Sequence, residues 1–199
     1  HASDMPGGAG GGMPQNGEKL DGESMPQMGE KPDGEKMPQD TTTDESGTST
    51  KGIKAGGGMY LNGGTYQIDS ADDSIHSNAN ITIADGTYTL ATGDDGVHAD
   101  DALIVNGGTI TVTESYEGLE GLTVTINDGT IDITASDDGI NTAGEKMELN
   151  GGYIHILAGG DGVDSNGDLT INGGEIYIDG PSDNGNSAID YGDRSSAYV

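Results

Sequence analysis

The chain has 199 residues, of which 35 are Asp or Glu and only 7 are Lys or Arg, so its formal net charge at pH 7 is −28. Binding of nucleic acid depends on cations that neutralise phosphates, so this charge excludes a nucleic-acid partner. No apolar run approaches the roughly 20 residues that a membrane-spanning helix needs, and we expect no membrane insertion. The chain has no cysteine, so its fold does not use disulfides.

Residues 1–50 differ in composition from the rest of the chain. A twelve-residue unit rich in Pro, Gly, Met and charge starts at Met13, recurs at Met25 and begins again at Met37. Such a segment cannot bury enough apolar surface to form a core. We therefore predict that residues 1–50 are a low-complexity insert or linker, followed by a folded domain over residues 51–199.

Residues 51–199 repeat a motif of two short apolar strands joined by a glycine turn. Apolar and polar residues alternate on both sides of each turn, as in half-buried strands. A third segment of each repeat carries one further apolar residue. The last glycine of the turn recurs every 21 to 23 residues, at Gly64, Gly86, Gly108, Gly129, Gly152 and Gly174.

A period of this length is typical of repeat architectures whose coils stack on one another. We predict an all-β fold, a right-handed single-stranded parallel β-helix of about six coils of ~22 residues with three short faces per coil. An antiparallel β-sandwich is the alternative. It would not require the same residue types at equivalent positions of successive repeats, and these are present here.

Both ends of the β-helix are predicted to be incomplete. Residues 52–54 match the third segment of a coil, and residues 196–199 match the first strand of another. Exposed strand edges pair readily with other chains. The expected partners of these ends are other copies of the chain, or a missing N-terminal portion of the β-helix stacked end to end.

The corner before the third strand of each coil is acidic. Stacked strands lie about 4.8 Å apart, and carboxylates at that spacing repel by roughly 3–4 kcal/mol at an effective dielectric constant near 20. Calcium tolerates irregular oxygen coordination and is the expected counter-ion; the alternative is a set of solvated acids with raised pKa values and no metal. The predicted metal ligands are Asp72, Asp73, Asp94, Asp95, Glu117, Glu120, Asp137, Asp138, Asp161 and Asp164.

His76 and His98 occupy equivalent positions in adjacent coils. They are expected to be exposed turn histidines, although a transition-metal site is an alternative. Tyr153 and Tyr177 lie at predicted outward positions of their strands, where most tyrosines serve only as ordinary strand residues. These two tyrosines and the two histidines are the candidate ligand-binding residues.

Four segments at the acidic corners of successive coils share a motif. They are Asp72-Asp73-Ser74-Ile75-His76-Ser77, Asp94-Asp95-Gly96-Val97-His98-Ala99-Asp100, Ser115-Tyr116-Glu117-Gly118-Leu119-Glu120-Gly121 and Ser136-Asp137-Asp138-Gly139-Ile140-Asn141. Through these segments the chain resembles, over residues 51–192, the bacterial extracellular carbohydrate-binding β-helix family, which is related to pectate lyases. The resemblance implies a calcium-containing, non-catalytic protein outside the cell or at its surface that binds polysaccharides such as cellulose and polygalacturonate.

The leading functional hypothesis is calcium-dependent polysaccharide binding, in which calcium at the acidic corner bridges to uronate carboxylates. A pectate-lyase-like enzyme is an alternative, because Lys51 or Lys54 beside the acidic residues could act as the base. A self-assembling filament or cell-surface scaffold is another alternative. An ice-binding threonine face is disfavoured, because Asp132 and His155 interrupt the threonine positions.

Overall fold

The computed structural model describes residues 49–181, 185–192 and 196–199. Over these residues the chain forms 15 β-strands and no helix, and therefore no helix long and apolar enough to cross a membrane. The insert predicted for residues 1–50 lies outside the described residues apart from its last two positions, and it stays a prediction.

The strands are short, and every pairing between them is parallel. They are β1 (Ile53–Ala55), β2 (Met59–Ser70), β3 (Ile75–Ser77), β4 (Ile81–Thr92), β5 (Val97–Val105), β6 (Thr109–Glu114), β7 (Leu119–Ile126), β8 (Thr130–Ala135), β9 (Ile140–Leu149), β10 (Tyr153–Ala158), β11 (Val163–Ser165), β12 (Asp168–Ile171), β13 (Glu175–Asp179), β14 (Ile189–Tyr191) and β15 (Ala197–Tyr198).

Each coil contributes one segment to each of three faces. Face A contains residues 53–55, 75–77, 97–99, 119–121, 140–142, 163–165 and 189–191. Face B contains residues 59–61, 81–83, 103–105, 124–126, 147–149, 169–171 and 197–198. Face C contains residues 65–70, 87–92, 109–114, 130–135, 153–158 and 175–179. This register confirms the predicted parallel solenoid of about six coils.

The interior of the coils is filled by the alternating apolar residues. Ile83, Leu103 and Ile133 are fully buried, and burial of each such side chain contributes about 1.5–3 kcal/mol. Two inward tyrosines, Tyr66 and Tyr88, stack with ring centroids 5.1 Å apart. The hydroxyl of Tyr88 donates to the carbonyl oxygen of Asp85 at 2.9 Å, so its polar end is satisfied at the turn.

The turns between faces B and C are tied together by asparagine side chains. The Nδ2 atom of Asn127 donates to Oδ1 of Asn106 at 2.7 Å, and Nδ2 of Asn150 donates to Oδ1 of Asn127 at 2.8 Å. Asn172 continues this asparagine ladder by donating to Asn150 at 2.6 Å. The glycines that close these turns have positive φ angles, for example +91° at Gly108, which other residues rarely adopt.

Candidate functional site

The acidic corner joins face C to face A in successive coils. We define it as residues 72–76, 94–98, 116–120, 137–141 and 160–164. The parallel register places Asp73, Asp95, Glu117, Asp138 and Asp161 in one column, because each precedes by two positions a residue that pairs on face A.

These carboxylates accept hydrogen bonds from the backbone of the next coil. The backbone N–H of Asp95 donates to Oδ1 of Asp73 at 3.2 Å, and that of Asp161 donates to Oδ1 of Asp138 at 2.7 Å. The N–H of Glu117 binds Oδ1 of Asp95 in the same way. The acidic column therefore also joins the coils, a role that sequence analysis did not predict.

The carboxylates in the first part of the corner are held by Lys51 and His76. Nζ of Lys51 lies 2.7 Å from Oδ2 of Asp73 and 3.1 Å from Oδ1 of Asp72, and Nδ1 of His76 lies 2.8 Å from Oδ2 of Asp73. Burial alone would raise the pKa of Asp73, but the hydrogen bonds from His76 and Lys51 lower that pKa to about 2. The expectation that His76 is an exposed turn residue is wrong: it is 7% exposed, because it lies within β3 and packs between coils.

The middle of the corner is a histidine between two carboxylates. Nδ1 of His98 lies 2.9 Å from both Oδ2 of Asp95 and Oε2 of Glu120. Burial opposes the charged imidazole, yet these two hydrogen bonds raise the pKa of His98 to about 11. Burial and the nearby Glu120 raise the pKa of Asp95 to about 8.

Glu117 and Asn141 connect the middle of the corner to its last part. Nδ2 of Asn141 donates to both carboxylate oxygens of Glu117, at 3.1 and 3.0 Å. Burial, followed by the charges of Glu120 and Asp95, raises the pKa of Glu117 to about 9. Oδ1 of Asn141 is buried without a hydrogen-bond donor among the described residues, and the residue as a whole is 8% exposed.

The last part of the corner concentrates carboxylates. Oxygen atoms of Asp138, Asp161 and Asp164 lie within 4.8 Å of one another, and so do those of Glu117, Asp137 and Asp138. Burial and the charges of Asp137, Asp164 and Asp161 raise the pKa of Asp138 to about 7. Asn141 pairs with Asp164 on face A, so these two side chains are neighbours in adjacent coils.

These residues fit a hard divalent cation. Calcium takes six to eight oxygen ligands from carboxylates and amide carbonyls, and the group offers both kinds. An unsatisfied buried oxygen costs about 1–3 kcal/mol, which a cation would recover. The predicted ligands Asp72, Asp73 and Asp94 form a separate acidic group, where Lys51 already supplies positive charge.

A second surface lies on face C, one strand away from the acidic corner. The rings of Tyr153 and Tyr177 are 5.5 Å apart and tilted by 40°, with exposed fractions of 44% and 52%. Beside them is a shallow groove of about 580 Å³. It is lined by Asp128, Gly129, Thr130, Gly152, Tyr153, Gly174 and Glu175.

The structure thus separates the predicted site residues into two surfaces. The ten predicted metal ligands, His76 and His98 gather at the acidic corner, whereas Tyr153 and Tyr177 lie on face C. Sequence analysis missed Asn141, Asp128 and Glu175. The position of Asn141 in the column of His76 and His98 was visible in the repeat, but nothing in the sequence shows which amide oxygen lacks a donor.

Comparison with protein families gives one assignment. The model of a family described as "carbohydrate-binding domain-containing protein" matches residues 15–96 and 94–198, which is most of the chain. The searches of curated proteins and of solved structures each gave no match.

Proposed function

Because this chain belongs to the family of carbohydrate-binding domain-containing proteins, we propose that it binds polysaccharide without catalysis and in a calcium-dependent manner. We place it outside a bacterial cell or on its surface. The proposed ligands are plant cell-wall polysaccharides, namely pectin or polygalacturonate and cellulose.

The buried Oδ1 of Asn141 is the observation that carries the calcium dependence. Asn141 is the neighbour on face A of Asp164, whose carboxylate belongs to one group with those of Asp138 and Asp161. Burial and the charges of Asp137, Asp164 and Asp161 raise the pKa of Asp138, as expected where carboxylates are crowded together. In the proposal Asp138, Asp161, Asp164 and the amide oxygen of Asn141 hold calcium, with Glu117 next to them.

Calcium at this position would supply positive charge to which a uronate carboxylate can bind. Without it, a chain of net charge −28 repels a polyanion such as polygalacturonate. The protein's own residues fix the position of the corner through hydrogen bonds between coils, from Asp161 N–H to Asp138 and from Glu117 N–H to Asp95. The corner is therefore a rigid edge, suited to a repeating ligand.

Tyr153 and Tyr177 supply the second proposed contact, for the uncharged glucan. Tyrosine rings present a large apolar surface together with a hydroxyl group, and binding sites combine such surfaces with a few polar groups. Asp128 and Glu175 line the groove beside Tyr153 and can accept hydrogen bonds from sugar hydroxyls.

Lys51 is poorly suited to act as the base of the lyase alternative. A catalytic base must be deprotonated at the working pH. Burial would lower the pKa of Lys51, but its hydrogen bonds to Asp73 and Asp72 raise that pKa above the ordinary value. Self-assembly through the ends of the solenoid stays a prediction from the sequence.

Calorimetric titration of polygalacturonate, with calcium and then with chelator, tests the role of the corner. We expect binding in calcium, loss of binding in chelator, and at least about tenfold weaker binding for Asp164→Asn. Glu148→Gln is the matched control, because it removes one negative charge beside Lys146 on face B. Equal affinity in calcium and in chelator would refute the bridging mechanism.

Titration of cello-oligosaccharides tests the tyrosine surface. Tyr153→Ala and Tyr177→Ala should each weaken binding about tenfold, which corresponds to ~1.4 kcal/mol. Tyr60→Ala is the matched control, because Tyr60 is 70% exposed on face B. If Tyr60→Ala weakens binding as much as Tyr153→Ala, the assignment to face C is wrong.

A further inference from the structure

We propose that His76, His98 and Asp100 form a binding site for a transition-metal ion, with zinc as the model ion. This histidine site differs from the calcium site in its ligand chemistry and lies nearer the start of the solenoid. It does not depend on the proposed binding of polysaccharide.

The two histidines converge on a single carboxylate oxygen. His76 and His98 pair on adjacent strands of face A, and their ring centroids are 5.1 Å apart. Their Nε2 atoms lie 3.8 and 3.5 Å from the same Oδ1 of Asp100. Two ligands bound to tetrahedral zinc are separated by about 3.3 Å, and each Nε2 exceeds that distance from this oxygen by no more than about 0.5 Å.

Buried carboxylates orient both rings for this task. Nδ1 of His76 is held by Asp73 at 2.8 Å, and Nδ1 of His98 is held by Asp95 at 2.9 Å. A metal-binding histidine typically donates its other N–H to a carboxylate, which fixes the ring and makes it a better ligand. The bonds at Nδ1 leave each Nε2 to face Asp100.

His155 is a histidine that lacks this arrangement. Its Nδ1 lies 2.8 Å from Asp132 and its Nε2 lies 3.2 Å from Asp179, and these two carboxylates belong to two different strands of face C. It also has no histidine in register with it, since it pairs with Asp132 and Tyr177 on face C. His155 is therefore a matched control for the histidine site.

The ligand set selects the class of metal. Imidazole nitrogens suit zinc, copper, nickel and iron, whereas calcium is bound by oxygen atoms. Two imidazoles and one carboxylate leave the fourth position of a tetrahedral ion to water or to an added ligand. Asp100 is 46% exposed, so the ion can enter from solvent.

The test is calorimetric titration of zinc into protein kept in excess calcium, which occupies oxygen-only sites. All proteins carry His1→Ala, so that the terminal imidazole does not contribute. We expect one zinc ion per chain, binding at least about tenfold weaker in Asp100→Asn and in His98→Gln, and unchanged binding in His155→Gln. Because a metal ion competes with protons for imidazole nitrogens, the binding heat should differ between buffers of different ionisation enthalpy.

Two results would overturn the site. One is zinc affinity in Asp100→Asn and His98→Gln equal to that of the parent protein. The other is loss of zinc binding in His155→Gln alone. If His98→Gln does not fold, as judged by circular dichroism, Asp100→Asn decides the question, because Asp100 is a surface residue. Cobalt absorption in the parent protein, absent in Asp100→Asn, supports the same conclusion independently.

Discussion

At the scale of single residues, the glycine of the Asp-Asp-Gly segment is required by packing between coils. A Cβ atom on Gly139 would clash with Cγ2 of Ile156 and lie 2.6 Å from the carbonyl oxygen of Gly162. A Cβ atom on Gly118 or on Gly162 would meet the equivalent atoms of the next coil. The absence of a side chain lets the corner approach its neighbour, and this brings Asp138 within reach of the next backbone N–H.

Gly139→Ala should therefore destabilise the solenoid by about 1–3 kcal/mol, the usual cost of overpacking. Gly57→Ala is the matched control, since a Cβ there meets no heavy atom within 4 Å. Urea unfolding of the two variants measures the difference. Equal free energies of unfolding for the two variants would mean that the corner accommodates a Cβ atom without loss of stability, contrary to this packing argument.

The positions of the acidic residues could be predicted from sequence, but their partners could not. A 22-residue period assigns Asp73 and Asp95 to one column, because the coil length fixes the register. Whether His76 is exposed depends on where β3 begins and on how its ring turns toward Asp73. Neither follows from spacing, and so the expectation for His76 was wrong.

At the scale of structural elements, the asparagine ladder supports the turns between faces B and C. Asn127 takes part in two bonds of the ladder, to Asn106 and Asn150, while Asn172 takes part in one. Each such hydrogen bond contributes about 0.5–1.5 kcal/mol. The repeated Asn-Gly turns predicted the sharp turn, but the side-chain bonds depend on rotamers that the sequence does not reveal.

Asn127→Ala should destabilise the protein by about 1–2 kcal/mol, roughly twice the effect of Asn172→Ala. The comparison is well matched, because both changes remove an asparagine of the same column. Urea unfolding with one common slope gives the two free energies of unfolding. A larger effect for Asn172→Ala would show that these exposed bonds do not hold the coils together.

At the scale of the whole molecule, stacking of coils brings like charges together. The repulsion between these charges is reduced in different ways at the two ends of the corner. Lys51 and His98 supply positive charge near the start of the solenoid. Toward its end, Asp138 and Glu117 instead have raised pKa values, because of burial and of the charges around them. Without metal, these two carboxyl groups therefore stay wholly or partly protonated at neutral pH, in the region where we propose calcium.

Protonation of the buried carboxyl groups predicts that the metal-free protein loses stability as pH rises. The pKa values of Asp138, Asp95 and Glu117 are raised to about 7, 8 and 9 from about 4 in the unfolded chain. The folded state therefore binds more protons, and its stability is fully present below pH ~4 and is lost as pH rises through these values. His98 acts in the same direction, because its folded pKa is also raised.

Thermal unfolding at pH 5.5 and at pH 8.5, in chelator and in calcium, measures this effect at about equal ionic strength. In chelator we expect the midpoint to fall by several degrees between the two pH values. Calcium should reduce the fall, because it binds the ionised carboxylates and is lost on unfolding. Glu117→Gln should also reduce it, whereas Glu148→Gln, on face B, should not. A midpoint that rises with pH in chelator would show that the corner carboxylates are ionised without metal, and that their charge is balanced by the protein alone.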